Sequence, residues 1–111
     1  MEVSVTSHER GHYTVVDVVG EIDVYTASVL RERLAELIDA EHTDLIVDLT
    51  RVGFLDSTGL GVLVGALKKV RGFGGRLLLV INQEKVMKVF RITALTQVFI
   101  IHATLEGALS A

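Results

Sequence analysis

Asp44-Leu45-Ile46-Val47-Asp48-Leu49, then Asp56-Ser57-Thr58-Gly59-Leu60-Gly61, then Leu63, Val64, Leu67 and Val70 form the run that decides the fold of this chain. The first segment is short and apolar, as a buried strand is. The last carries apolar residues at helical spacing. Between them a serine stands where a strand hands over to a helix. Helix N-termini expose free N–H groups and the positive end of a dipole. Ser57 therefore reads in two ways from the residues alone: a helix cap, or a residue that carries a phosphoryl group.

Working outward, Val3 to Thr6 reads as an edge strand and Ser7 to Gly11 as a polar hairpin connection. Tyr13 to Val19 is a β-branched strand ending at Gly20, with Gly20-Glu21-Ile22-Asp23 as a turn-like exit. Leu30, Leu34, Leu37 and Ile38 share one helical face, with Thr26 as the expected N-cap and Glu41-His42-Thr43 as the exit loop. Arg51 to Leu55 reads as a connection whose Phe54 and Leu55 are buried near the next helix. That helix spans about Ser57 to Arg71 and ends in Gly72-Phe73-Gly74-Gly75. Arg76 to Ile81 is a strand covered on both faces. Asn82 caps a third helix through Arg91, with Val86, Val89 and Phe90 inward. Val98 to Ile101 is a last strand and Thr104 to Leu109 a short final helix. The order β-β-α-β-α-β-α-β-α implies an α/β domain: a mixed, mostly parallel sheet with an initial hairpin and about four helices.

The chain has 111 residues, which suits one domain over 1–111. Half of it is apolar and 23% is charged, so a core can form. Only six residues are aromatic, four Phe and two Tyr, which leaves the core to Val, Leu, Ile and Ala. A net charge of −3 argues against direct nucleic-acid binding, which needs a basic surface. With no cysteine, disulfides and thiolate chemistry are excluded. The start shows no signal peptide, and no apolar run approaches the roughly 20 residues of a membrane span. A cytoplasmic protein without membrane attachment is expected.

Enzyme motifs fail one by one. Gly59-x-Gly61-x-x-x-Gly65 has the wrong spacing for a dinucleotide site, and Asn82 stands where an acid is required. The bland reading is that Gly61 and Gly65 let the helix lie close to the sheet or to a partner. Asp56-Ser57-Thr58-Gly59 is not a nucleophile elbow, and no base is positioned for the serine. His8, His12, His42 and His102 fall in loops or at strand ends and read as solvated. No metal or cofactor site is expected. Lys68, Lys69, Arg71, Lys85, Lys88 and Arg91 read as a solvated outer face. Asp23 and Asp56 follow strands that deliver their ends to one sheet edge, so Asp23, Asp56 and Ser57 are expected to converge.

Three stretches resemble a known family. Asp48 to Leu63, containing Asp56-Ser57-Thr58-Gly59-Leu60-Gly61, is similar to the signature of anti-sigma factor antagonists, the small single-domain members of the STAS group. Gly20 to Ala27 resembles its second motif and Asn82 to Leu95 its third. The likeness covers nearly the whole chain and is closest to bacterial regulators of sporulation, development and stress. It implies the STAS fold and no catalytic activity. It further implies that an anti-sigma factor, itself an ATP-dependent serine kinase, phosphorylates Ser57. Unmodified protein would bind that partner and free its sigma factor, phosphorylation would break the complex, and a serine phosphatase would restore it. Asp23, Asp56, Thr58, Gly59 and Leu60 would form the phospho-site neighbourhood and partner interface. Thr58 lies where the family often has serine or alanine, so no separate role is carried to it. The helix dipole is expected to stabilise the phosphate within the domain. A second function stays open: a non-switching, ligand-binding or accessory STAS module, for example of a transport assembly, with Ser57 as a cap. The missing family proline near Phe99-Ile100 and the short last helix put the packing of the C-terminus in question.

Overall fold

The computed structural model describes residues 2–111. Strands β1 (Val3–Arg10), β2 (Tyr13–Ile22), β3 (Asp44–Leu55), β4 (Arg76–Val80) and β5 (Ile100–His102) form one sheet in the order of the chain. β1 runs antiparallel to β2, and the other pairings are parallel. Helices α1 (Ala27–Asp39), α2 (Ser57–Gly72) and α3 (Glu84–Ile92) cover one face, and α4 (Leu105–Leu109) lies on the other. The expected element order and mixed sheet are the ones observed.

Both faces are buried for a simple reason. Leu45, Val47 and Leu49 of β3 and Leu77 and Leu79 of β4 point to the core shared with α1 to α3. Their neighbours Ile46, Leu78 and Val80 point the other way, with Tyr13 and Val15, onto Ala108 of α4. Successive side chains of a strand alternate between faces, so a sheet covered twice reads as an unbroken apolar run. The short α4 is therefore the cover of the second face, which settles how the C-terminus packs. Thr104 caps it by accepting from Gly107 N–H at 3.0 Å.

Several expectations are corrected. Ser7 to Arg10 belong to β1, and only Gly11 and His12 turn the hairpin, because all eight β1 residues find partners on β2. Gly20 to Ile22 continue β2. The segment Arg51 to Leu55 is no connection but the second half of β3. Two irregularities hide it. Between the pairs Asp17–Asp48 and Val19–Arg51, β3 advances three residues while β2 advances two. Between Gly20–Val52 and Glu21–Phe54, β3 advances two while β2 advances one. Each extra residue is a bulge, and each resets the alternation, so the buried positions run Leu49, Val52, Leu55 at intervals of three. Phe54 is only half-buried. Asn82 does not cap α3. Gln83 holds that position, and its side-chain amide donates to Thr50 O at 2.8 Å. Val89 is half-buried, while Val86 and Phe90 are buried as expected. Leu95–Gln97 form a single 3-10 turn, which delays β5 to Ile100.

The histidines are less uniform than expected. His8 lies within β1 and pairs with Asp17 at 2.9 Å. His42 Nδ1 meets Thr14 Oγ1 at 3.1 Å, and His102 is half-buried in β5 with its Nε2 enclosed and unbonded. His12 lies against the Tyr13 ring. The basic residues Lys68, Lys69, Lys85 and Lys88 are exposed, as is Arg91, which pairs with Glu84.

One glycine closes the sheet edge near the start of the chain. Gly20 has φ +120° and sits opposite Val3, with Glu21 N–H donating to Glu2 O at 2.9 Å. A Cβ there would press on the Glu2 carbonyl oxygen and lie 3.1 Å from Val3 Cα. Backbone strain of this kind costs about 1–3 kcal/mol. Gly20→Ala should lower the unfolding free energy by that amount in urea titrations; an unchanged midpoint would show that the edge accommodates a side chain.

Candidate functional site

Ile22 of β2 and Leu55 of β3 are paired, and the next amide, Asp56 N–H, donates to Ile22 O at 3.2 Å. The two strands therefore end side by side. Each is followed at once by an aspartate, Asp23 or Asp56, and then by a helix. Parallel strands with right-handed helical crossovers deliver such ends to one edge of the sheet.

Both aspartates do the same structural work. Asp56 is extended, with φ −109° and ψ −174°, and its Oδ1 accepts from Thr58 N–H at 2.9 Å and Gly59 N–H at 3.2 Å. Asp23 Oδ1 accepts from Tyr25 N–H at 2.8 Å and Thr26 N–H at 2.9 Å. Each carboxylate thus meets the amides two and three residues ahead: Asp56 caps the orphan amides of α2, while Asp23 closes the turn that leads into α1. Thr26 stands at the N-cap of α1 as expected, but its side chain makes no capping bond to the helix. Its hydroxyl donates to Glu21 O at 2.7 Å and accepts from Asp23 N–H at 2.9 Å, tying the strand end to the turn. The bonds it receives, Thr26 N–H first, hold the Asp23 carboxyl below its ordinary value of 3.8 against a smaller opposing effect of desolvation.

Ser57 is consequently not the cap. It is the first residue of α2 and is exposed, and its hydroxyl has no hydrogen bond among the described residues. Two of the amides that a phosphate would seek at the helix start, those of Thr58 and Gly59, already serve Asp56. Thr58 is half-buried. Gly59 and Leu60 are buried and position the junction. A Cβ on Gly59 would press on Leu55 and lie 2.7 Å from Ile22 Cγ2. This is the glycine that brings the helix onto the sheet. Gly61 and Gly65, expected in that role, are exposed with nothing within 4 Å of an added Cβ.

Those two glycines instead open a groove of about 320 Å³ between α1 and α2. Ser57 and Thr58 border it, Leu34 and Val62 supply apolar wall, and Arg31 and Lys69 supply charge. Beside Asp23, Val24 and Tyr25 are 63% and 84% exposed. The sequence reading gave them no role. Their signal was two large apolar residues in a turn that has no room to bury them. Among the described residues, no group of three His, Asp or Glu side chains is placed to hold a metal ion.

Comparison with known proteins identifies the family. The STAS domain family matches residues 4–108. The anti-sigma-B factor antagonist of Bacillus subtilis is 41% identical over 107 residues, covering 96% of this chain and 97% of that protein. The crystal structure of an anti-sigma factor antagonist from Mycobacterium paratuberculosis superposes with a TM-score of 0.91 at 28% identity, covering 97% of this chain and 92% of that one. The Bacillus protein SpoIIAA in its phosphorylated form shares the fold, with a TM-score of 0.74 at 24% identity over 96% of this chain and 97% of its own. The chain belongs to the STAS family, in its anti-sigma factor antagonist branch.

Two predictions follow from the caps. Asp56→Ala should cost about 0.5–2 kcal/mol of stability, whereas Ser57→Ala should stay within about 0.5 kcal/mol. Equal losses in denaturant would return the cap to Ser57. The second concerns acid. A carboxyl whose folded value is depressed adds stability above its unfolded value, and that stability is lost as pH falls through the folded value. Asp23→Asn keeps the oxygen acceptor without the charge. It should be less stable than the parent above pH 3.8 and converge with it in stronger acid. A gap that stayed constant across the acid range would remove the charge from the account.

Proposed function

We propose that this member of the STAS family is a phospho-switched binding protein. With Ser57 unmodified it binds an anti-sigma factor that is also an ATP-dependent serine kinase, and the sigma factor is released. The kinase transfers the γ-phosphoryl group to Ser57 Oγ: the new O–P bond forms, the bond to ADP breaks, and the hydroxyl proton passes to the kinase. The modified protein leaves, and a serine phosphatase restores it. The chain acts in the cytoplasm, needs no cofactor and touches no nucleic acid itself.

The observation that carries this reading is the division of labour between Asp56 and Ser57. Capping by Asp56 leaves the serine hydroxyl exposed, fixed at a helix start and unbonded. Capping therefore gives no account of Ser57, and modification does. Exposed Val24 and Tyr25 flank the junction and supply the apolar contact that an interface core needs. Phosphorylation adds about −1.5 to −2 charges. The Asp56 and Asp23 carboxylates already lie at this edge, so a partner that closes over it would bury an unpaired charge. Losses of that kind run to about 2–5 kcal/mol, or roughly 30- to 5,000-fold in affinity.

A second reading draws on the groove between α1 and α2, which reaches Ser57 and has room for a small anion. There the protein would be a ligand-binding or accessory module whose partner is indifferent to the state of Ser57.

Incubation with the cognate kinase and ATP should add one phosphoryl group, at Ser57, by intact mass and fragmentation. Labelling that persists in Ser57→Ala sinks the assignment. Ser57→Asp should weaken kinase binding by about 30-fold or more, and Ser57→Ala should leave it intact. Equal binding by both variants would favour the ligand-binding module.

A further inference from the structure

A phosphoryl group on Ser57 meets two amides that are already engaged at the start of its own helix. Thr58 and Gly59 N–H are bonded to Asp56 Oδ1, and that carboxylate repels a second anion. The open direction is the groove, which Ser57 and Thr58 border. Two cations share its lining, Arg31 on α1 and Lys69 on α2. They are not equivalent. Lys69 is twelve residues further along α2, about 18 Å from Ser57 at the helical rise. Arg31 stands across the groove, one turn into α1.

Arg31 also differs from most arginines of the chain. Arg33, Arg71, Arg76 and Arg91 each donate to an acceptor, at Val5 O, Val98 O, Tyr13 OH and Glu84. Arg31 is exposed, and it has neither a hydrogen bond nor an ion pair among the described residues. Gly61 lies one turn below Ser57 on the groove side and leaves the path clear, since a Cβ there would meet nothing within 4 Å.

We propose that Arg31 is the counter-charge of phosphorylated Ser57, turning the phosphoryl group into the groove between α1 and α2. The inference rests on the reading of Ser57 as the modified residue. A guanidinium presents paired N–H donors that match phosphate oxygens, and it favours the dianion over the monoanion. Arg31 is thus a positioning residue for the modified state. Phosphorylation fills the groove mouth with an ion pair while the backbone stays as it is.

The test uses the full chain with phosphoserine installed at position 57 during translation, so that no kinase is required. Phosphorus NMR then follows the second ionisation, which lies near pH 6 for an ordinary phosphoserine. Arg31→Gln should raise the titration midpoint by about 0.5–1 pH unit relative to the parent. Arg31→Lys, which keeps the charge but not the fork, should fall between them. Lys69→Ala should titrate with the parent. If Arg31→Gln titrates with the parent, or if Lys69→Ala shifts as far as Arg31→Gln, Arg31 does not face the phosphate. Either result leaves the kinase reading of Ser57 standing, just as failed labelling by a kinase would leave this measurement valid.

Discussion

The parallel pairing of β2 with β3, carried through to Ile22 and Leu55, is the constraint on which the site depends. It sets two strand ends at one height on one edge. Two helix starts are thereby brought side by side, and with them two aspartates, an exposed serine and the mouth of a groove. The bulges in β3 contribute directly. Without the two bulges, Ile22 would pair with Gly53 instead of Leu55, Val52 would leave the core face, and α2 would start from a different height. Gly59 then fixes the approach of α2, because no side chain fits between it and Ile22.

Burial and exposure divide the residues around Ser57 into distinct roles. Gly59 and Leu60 are inside and hold the helix. Asp56 bonds the Thr58 and Gly59 amides at the start of α2, and Asp23 bonds those of Tyr25 and Thr26 in the turn before α1. Ser57 is left with nothing to stabilise. A helix start capped by the preceding aspartate presents the serine without masking its hydroxyl.

Charge works in the same direction. The chain carries a net −3, and two of its acids lie at this edge. A further negative group alters the local field sharply, and the nearby groove cation is the one on α1. Regulation at such a site needs no change of fold.

Much of the architecture was legible in the sequence because a sheet covered on both faces writes itself as apolar runs, as in Leu77 to Val80, and the helices as spaced leucines. The family was legible from three motifs. The second half of β3 was not legible, since each bulge resets the alternation and Gly53 suggests a break. The caps were misassigned for a related reason. Asp56 and Ser57 are both good capping residues, as Asn82 is before α3, and only backbone conformation says which residue stands at the boundary. Arg31 and the groove were invisible because α1 and α2 are distant in sequence and meet only when packed on the same face. The sequence by itself determined the element order, the two-sided core and the Asp-Ser pair at a strand-to-helix junction, because these follow from local pattern. Only the tertiary structure decided which of the pair caps, that Ser57 is free and that a cation faces it across a groove, because these depend on backbone angles and on contacts between segments far apart in the chain.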